Sequence, residues 1–153
     1  MKLQITMVSF IDRDEEMERH LEAEYALAED ALSANLSYLQ MLDEASGYAV
    51  RENLLAELEP SGQLKRLTLS RPESGFTLVL DKDAEFEGEY PTEHGSIALR
   101  AKTLELSGRC KDNKLHMSAT YEMYLGGEMT GVTHLSLIGR PLQKGPAKPA
   151  TGA

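Results

Sequence analysis

The sequence predicts an all-β protein, an antiparallel sandwich or closed barrel of about eight to ten strands. Two observations carry that prediction. Short runs alternate apolar and polar residues, the period of a strand with one buried face. Clusters of Gly, Pro, Asn, Asp and Ser interrupt those runs at regular intervals, as turns do. Size and composition fit one globular domain: the chain has 153 residues, 41% hydrophobic and 27% charged. A chain this long buries roughly 68–70% of its extended surface, enough for a core without disulfides or metal. We place the barrel at residues 1–143. Residues 144–153, KGPAKPATGA, contain no large apolar side chain and are expected to form a flexible tail.

Taken in order, residues 2–10 alternate Leu3, Ile5 and Met7 with Gln4 and Thr6. Residues 15–34, EEMERHLEAEYALAEDALSA, are ambiguous. Met17, Leu21, Tyr25, Ala28 and Leu32 fall at helical spacing, and Ala, Glu and Leu favour a helix. Leu21, Ala23, Tyr25 and Leu27 also fit the period of a strand. Residues 36–42 are rich in Leu, Tyr and Met and lead to a turn at 43–47. Pro60-Ser61-Gly62 separates strands at 50–58 and 64–70, a hairpin signal. Arg71-Pro72-Glu73-Ser74-Gly75 turns the chain into 76–80, and Asp81-Lys82-Asp83 turns it into 84–90. After a break at 91–95 comes 96–107, where Ile97, Leu99 and Ala101 share one parity and Leu104 and Leu106 the other. A strand cannot bury both sets on one face, so a bulge is expected near Lys102-Thr103, or else a strand that leaves one sheet surface there and joins another.

Lys111-Asp112-Asn113 leads into the last pair, 115–125 and the strand after Gly126-Gly127. A two-residue turn would place the apolar row of one strand on the polar row of the next. A three-residue loop, Leu125-Gly126-Gly127, would pair Met123 with Met129, Tyr121 with Gly131, Met117 with Leu135 and Leu115 with Leu137. Burying Met and Leu is worth about 1.5–3 kcal/mol per side chain, so the apolar register is expected. His116 and His134 then become diagonal neighbours on the polar face, near Glu122.

The formal net charge of −9 repels phosphate backbones and anionic lipid, which argues against nucleic-acid and membrane partners. No run approaches the roughly 20 apolar residues of a spanning helix. The N-terminal run reaches Asp12 too soon for a secretory apolar region. Asn35-Leu36-Ser37 matches the glycosylation triplet, which has no consequence without secretion. Cys110 is the single cysteine; it fits a reducing compartment and reads as a packed strand residue.

The run GSIALRAKTLELSGRCKDNKLHMSATYEMYLGGEMTGVTHLSL, with Gly95-Ser96, Leu104-Glu105-Leu106, Tyr121-Glu122-Met123-Tyr124-Leu125, the Leu125–Glu128 turn and His134-Leu135-Ser136-Leu137, resembles the C-terminal half of the YwiB-like family of small bacterial proteins of unknown function. The likeness covers about a third of the chain well and the first half loosely. It implies a calycin-like, lipocalin-shaped antiparallel β-barrel in a cytoplasmic protein. It also implies that the segment after the first strand is a second strand, so residues 19–28 are assigned to strand against their propensity. Gly126 stands where the family tends to have a polar residue. The resemblance brings no functional residues with it.

No nucleophile elbow, phosphate loop or closely spaced metal-ligand pair is present, and no cofactor is expected. His116, His134 and Glu122 fall short of a metal site without further ligands. Thr92-Glu93-His94-Gly95-Ser96 gathers reactive residue types at a turn, where adjacency alone does not make a triad. Asp81-Lys82-Asp83-Ala84-Glu85 starts like a calcium loop, but Phe86 and Thr92 occupy the positions that require Gly and Glu. Glu85, Glu87 and Glu89 share a face that reads as solvated or as a protected edge. The remaining functional idea is the barrel interior. Phe76, Leu78, Leu80, Met117, Tyr121, Met123, Met129 and Leu135 would line it, and Met suits an adaptable apolar cavity. The function expected is binding of a small apolar or amphipathic molecule. The alternative is a packed barrel that acts as an interaction or homo-oligomer module through edge strands.

Overall fold

A computed structural model describes residues 1–11, 16–43 and 45–142. Ten strands form one antiparallel sheet: β1 Lys2–Ile11, β2 Met17–Leu27, β3 Ser33–Asp43, β4 Tyr48–Leu58, β5 Leu64–Arg71, β6 Phe76–Asp81, β7 Phe86–Thr92, β8 Gly95–Lys111, β9 Lys114–Leu125 and β10 Glu128–Pro141. The order is β6-β5-β4-β3-β2-β1-β10-β9-β8-β7. Each strand therefore pairs with its neighbours in sequence, except that β1 pairs with β10 and β6 does not ladder with β7. The sheet curls into a nearly closed barrel whose seam lies between β6 and the β7–β8 pair. Side chains hold that seam. The Asp81 amide donates to Thr103 Oγ1 at 3.1 Å, and the Phe76 and Tyr90 rings meet edge-on at 5.4 Å.

β2 is a strand, as the resemblance implies and propensity does not. Its alternation places Leu21, Ala23 and Tyr25 toward the core and Glu22 and Glu24 in solvent. Burial of that row outweighs a helix preference of tenths of a kcal/mol per residue. The bulge expected in β8 falls between Thr103 and Glu105. Leu104 is the extra residue and is 43% exposed, while Leu99, Ala101 and Leu106 are all buried.

The β9–β10 hairpin differs from the sequence expectation in its mechanism. Leu125 pairs with Glu128, so the loop has two residues, and both Gly126 and Gly127 have positive φ, 60° and 85°. That is the turn whose twist matches its strands. A bulge between Met129 and Gly131 then supplies the odd residue, with the Thr130 hydroxyl donating to the Met123 carbonyl at 3.1 Å. Beyond it Tyr121 faces Thr133, Ala119 faces Leu135 and Met117 faces Leu137. Met117 and Leu135 share the inner face as expected, although they are not opposite each other. Met129 precedes the bulge and is 48% exposed, which removes it from the interior.

The inner face is apolar over most of its area. Leu3, Ile5, Leu36, Leu54, Leu80, Leu99 and Leu137 are essentially inaccessible. Close approach of β8 and β9 depends on Gly108. A Cβ there would lie 2.4 Å from the His116 carbonyl oxygen and 2.9 Å from Met117 Cα. Backbone atoms cannot step aside as a side-chain tip can, so Gly108→Ala is expected to destabilise by about 2–3 kcal/mol. Urea unfolding checks this; a change below about 0.5 kcal/mol would contradict the close approach. The expected tail, residues 144–153, lies outside the described residues.

Candidate functional site

Four neighbouring strands carry polar residues in their inward register, all toward the end of the barrel that holds the β3–β4, β5–β6 and β9–β10 turns. In β2 the row reads Arg19, Leu21, Ala23, Tyr25; in β3, Ala34, Leu36, Tyr38, Gln40; in β4, Val50, Glu52, Leu54; in β5, Leu67, Leu69, Arg71. Glu52 is only 2% exposed. Tyr38 Oη donates to its Oε1 at 2.5 Å, and Arg71 Nε donates to its Oε2 at 2.8 Å. The Arg71 guanidinium also lies 5.8 Å from the centre of the Phe76 ring, and its side chain keeps 27% exposure.

The electrostatics follow from burial. Desolvation, then the charge and hydrogen bond of Glu52, drive the Tyr38 phenol far above its ordinary pKa, with Arg71 and Arg19 opposing. Tyr38 is therefore a permanent donor. Desolvation also raises Tyr121. A hydrogen bond to Thr133 opposes the shift, and Glu52 and Arg71 act on it in opposite directions. Tyr121 thus faces the same cluster. Gln40 is 4% exposed, and its Oε1 is the buried side-chain acceptor that has no partner among the described residues. Leaving such an atom unpaired costs about 1–3 kcal/mol. A buried ion pair likewise adds little stability over apolar residues of the same volume. Core packing therefore does not account for the cluster.

Beside it the barrel wall is split. β2 and β3 pair only from Glu24↔Ser37 to Leu27↔Ala34. Met17 to Ala23 on one side and residues 38–43 on the other have no ladder between them. The split is a groove of about 450 Å³, with Leu21, Ala23 and Tyr38 among the inward residues it reaches and His20, Glu22 and Leu39 on its rim. Tyr38 thus belongs both to the cluster and to the floor of the groove.

The residues expected to line the interior separate into three groups. Phe76, Leu78, Leu80, Met117 and Tyr121 are buried and inward, and Met123 and Leu135 are half-buried against the same core. Met129 is outside. The space bounded by Leu54, Leu67, Met117, Ala119, Leu135 and Leu137 does not admit a water molecule, so this part of the apolar interior is filled by its own side chains. A sequence read for apolar lining missed Glu52, Arg71, Tyr38, Gln40 and Arg19. Their signal was a polar residue in the buried parity of each of four strands, at the same barrel end.

The other candidates disperse. The bulge shifts His134 opposite Thr120, while His116 faces Ile138 and Arg109. The histidines are therefore not diagonal neighbours, because the Ser118–Ser136 pair intervenes. His134 stacks on Phe10 at 4.4 Å. Among the described residues no group of three or more His, Cys, Asp or Glu could hold a metal. Thr92 organises its turn, donating to the Gly95 carbonyl at 2.5 Å and accepting from the His94 amide at 3.2 Å. A hydrogen bond from the Asp83 amide, then the Arg66 guanidinium, holds Asp81 below its ordinary pKa against some desolvation; it serves the seam. Glu87 and Glu89 are exposed on β7, an edge strand. Burial pushes the Cys110 thiol up to about 11, which leaves it unreactive near neutral pH.

Comparison with known proteins comes down to family and fold. A family model described as "Domain of unknown function (DUF1934)" matches residues 5–137. No curated protein matches. Among solved structures, the ywiB protein from Bacillus subtilis superposes with a TM-score of 0.66 at 16% identity, over 93% of this chain and 91% of that one. At that identity the match speaks for the fold alone. No helix among the described residues is long and apolar enough to cross a membrane.

Proposed function

The chain belongs to the DUF1934 family, and from its geometry we propose that the barrel binds one small amphipathic molecule. The polar end of that molecule sits at the Tyr38–Glu52–Arg71 cluster. Its apolar end lies against the inward face near Phe76, Leu78, Met117, Tyr121, Met123 and Leu135. The observation that carries this reading is Gln40 Oε1, a buried acceptor left without a partner beside an ion pair that stability does not require. Glu52 occupies only Nε of Arg71, one of five guanidinium donors. The filled part of the apolar interior sets a condition: a bound molecule must displace methionine side chains. Met7 and Met117 are unbranched and can do this at low cost.

Native mass spectrometry of the purified protein tests the proposal. The expected spectrum shows one copurified small molecule per barrel, or acquires one on addition of dodecanoate or dodecan-1-ol, with affinity at least tenfold lower in Arg71→Gln. A bare protein mass with both probes, while the protein remains folded, would overturn it. A second reading, the packed barrel as an interaction module, draws on a separate observation. The interior void is too small for water, and the edges of β2 and β3 stand unpaired next to each other.

A further inference from the structure

The break between β2 and β3 has a chemistry of its own. In an antiparallel strand the backbone groups of alternate residues point to opposite neighbours. Tyr25 exchanges its amide and carbonyl with Met1 on the β1 side, so the odd residues of β2 bond to β1. The amides and carbonyls of Glu18, His20 and Glu22 therefore point at the gap. On β3, Ser37 faces Glu24, so Leu39 and Met41 point at the gap from the other side. Two free edges thus face each other over roughly seven residues, about 23 Å at the rise of an extended chain. Proteins ordinarily cover, bulge or charge an exposed edge. Here one edge carries Leu39 and Met41, 55% and 43% exposed, and the other carries Glu18 and Glu22, both exposed. The cations here are Lys2 and Arg51 in the groove lining and Arg19, which lies in the inward row of the open β2 edge. Arg51 donates to Ser37 Oγ at 2.9 Å, at the paired end. The outward side of the open end carries Glu18, which His20 Nε2 meets at 2.9 Å, and Glu22, on a chain of net charge −9.

We propose that the gap between β2 and β3 receives an extended segment of a partner protein as an added strand, one that alternates apolar residues with lysine or arginine. Its backbone satisfies the free groups of the two edges. Its apolar row turns inward over Leu21 and Tyr38, and its basic row lies outward beside Glu18 and Glu22. Affinity comes from the main chain and specificity from the alternate side chains, the usual division in strand addition. The proposal rests on the interaction-module reading and is independent of the small-ligand reading.

The test uses the full chain and three end-blocked, labelled peptides followed by fluorescence anisotropy: KVKVKVK, the same peptide N-methylated at alternate residues, and EVEVEVE. The basic peptide is expected to bind at least tenfold more tightly than either of the others. In the E18K/E22K variant the preference should reverse toward the acidic peptide. Equal binding of the N-methylated peptide would overturn the proposal, because charge alone would then explain the affinity. Failure of all three peptides with a monomeric protein would overturn both the proposal and the interaction-module reading. A dimer in native mass spectrometry, dissociated by Leu39→Lys, would overturn the proposed occupant and leave that reading standing, with a second copy of the chain in the gap.

Discussion

Glu52→Ala is expected to lower unfolding free energy by about 2–4 kcal/mol, among the largest effects of any single inward substitution. The side chain removed is 2% exposed, and it accepts from both Tyr38 and Arg71. Its loss leaves a buried phenol and a partly buried guanidinium without their acceptor. Breaking a fully buried pair typically costs about 3–5 kcal/mol, and the 27% exposure of Arg71 lets water recover part of that. The double variant Glu52→Met with Arg71→Met should recover most of the loss, because the pair contributes little once both charges are absent. Urea titration of the three proteins checks both statements. A single-variant loss below about 1 kcal/mol would mean that water reaches the cluster in the folded state.

Leu54→Ala should cost about 3–5 kcal/mol by the same measurement. Leu54 is 1% exposed and borders the closed space shared with Leu67, Met117, Ala119, Leu135 and Leu137. A wall of side chains already in contact cannot collapse into the vacated volume, so the cavity penalty adds to the lost transfer energy. A loose, ligand-sized pocket at this position would give only the transfer part, about 1–2 kcal/mol. The size of the loss therefore separates a filled interior at this place from an open one. The cavity created should also let the variant take up a small apolar probe such as benzene, which the native protein excludes at this place.

What was legible in the sequence is the part governed by alternation. The parity slip between Ala101 and Leu106 locates the irregularity to within two residues, and the structure resolves it as a bulge rather than a crossing to another sheet surface. Alternation in β2 identified the inward row Leu21, Ala23, Tyr25, although only family resemblance decided between strand and helix. The β9–β10 hairpin shows where this reasoning stops. A three-residue loop and a two-residue loop followed by a bulge restore the same parity. The pattern predicted that Met117 and Leu135 share a face but could not fix their register. The misassigned register then produced a false pairing of His116 with His134 and put Met129 indoors.

The polar cluster was illegible for a different reason. A Glu, Gln or Arg in a strand is read by default as facing solvent, and each strand taken alone tolerates one such residue in either register. Only the sheet order, which sets β2, β3, β4 and β5 side by side, brings Arg19, Gln40, Tyr38, Glu52 and Arg71 to the same end of the barrel. Arg19 in β2 and Arg71 in β5 stand three strands apart along the chain. Nothing local signals that the β2–β3 ladder ends at Glu24 and Ser37.

That break in the wall is the feature on which both the cluster's accessibility and the proposed strand addition depend, and amide hydrogen exchange by NMR measures it residue by residue. The amides of His20, Glu22, Leu39 and Met41 should exchange roughly a hundredfold or more faster than those of Leu21 and Ala23, which bond to β1. Equal protection on both sides of β2 would mean that the ladder continues in solution and that the barrel wall is shut.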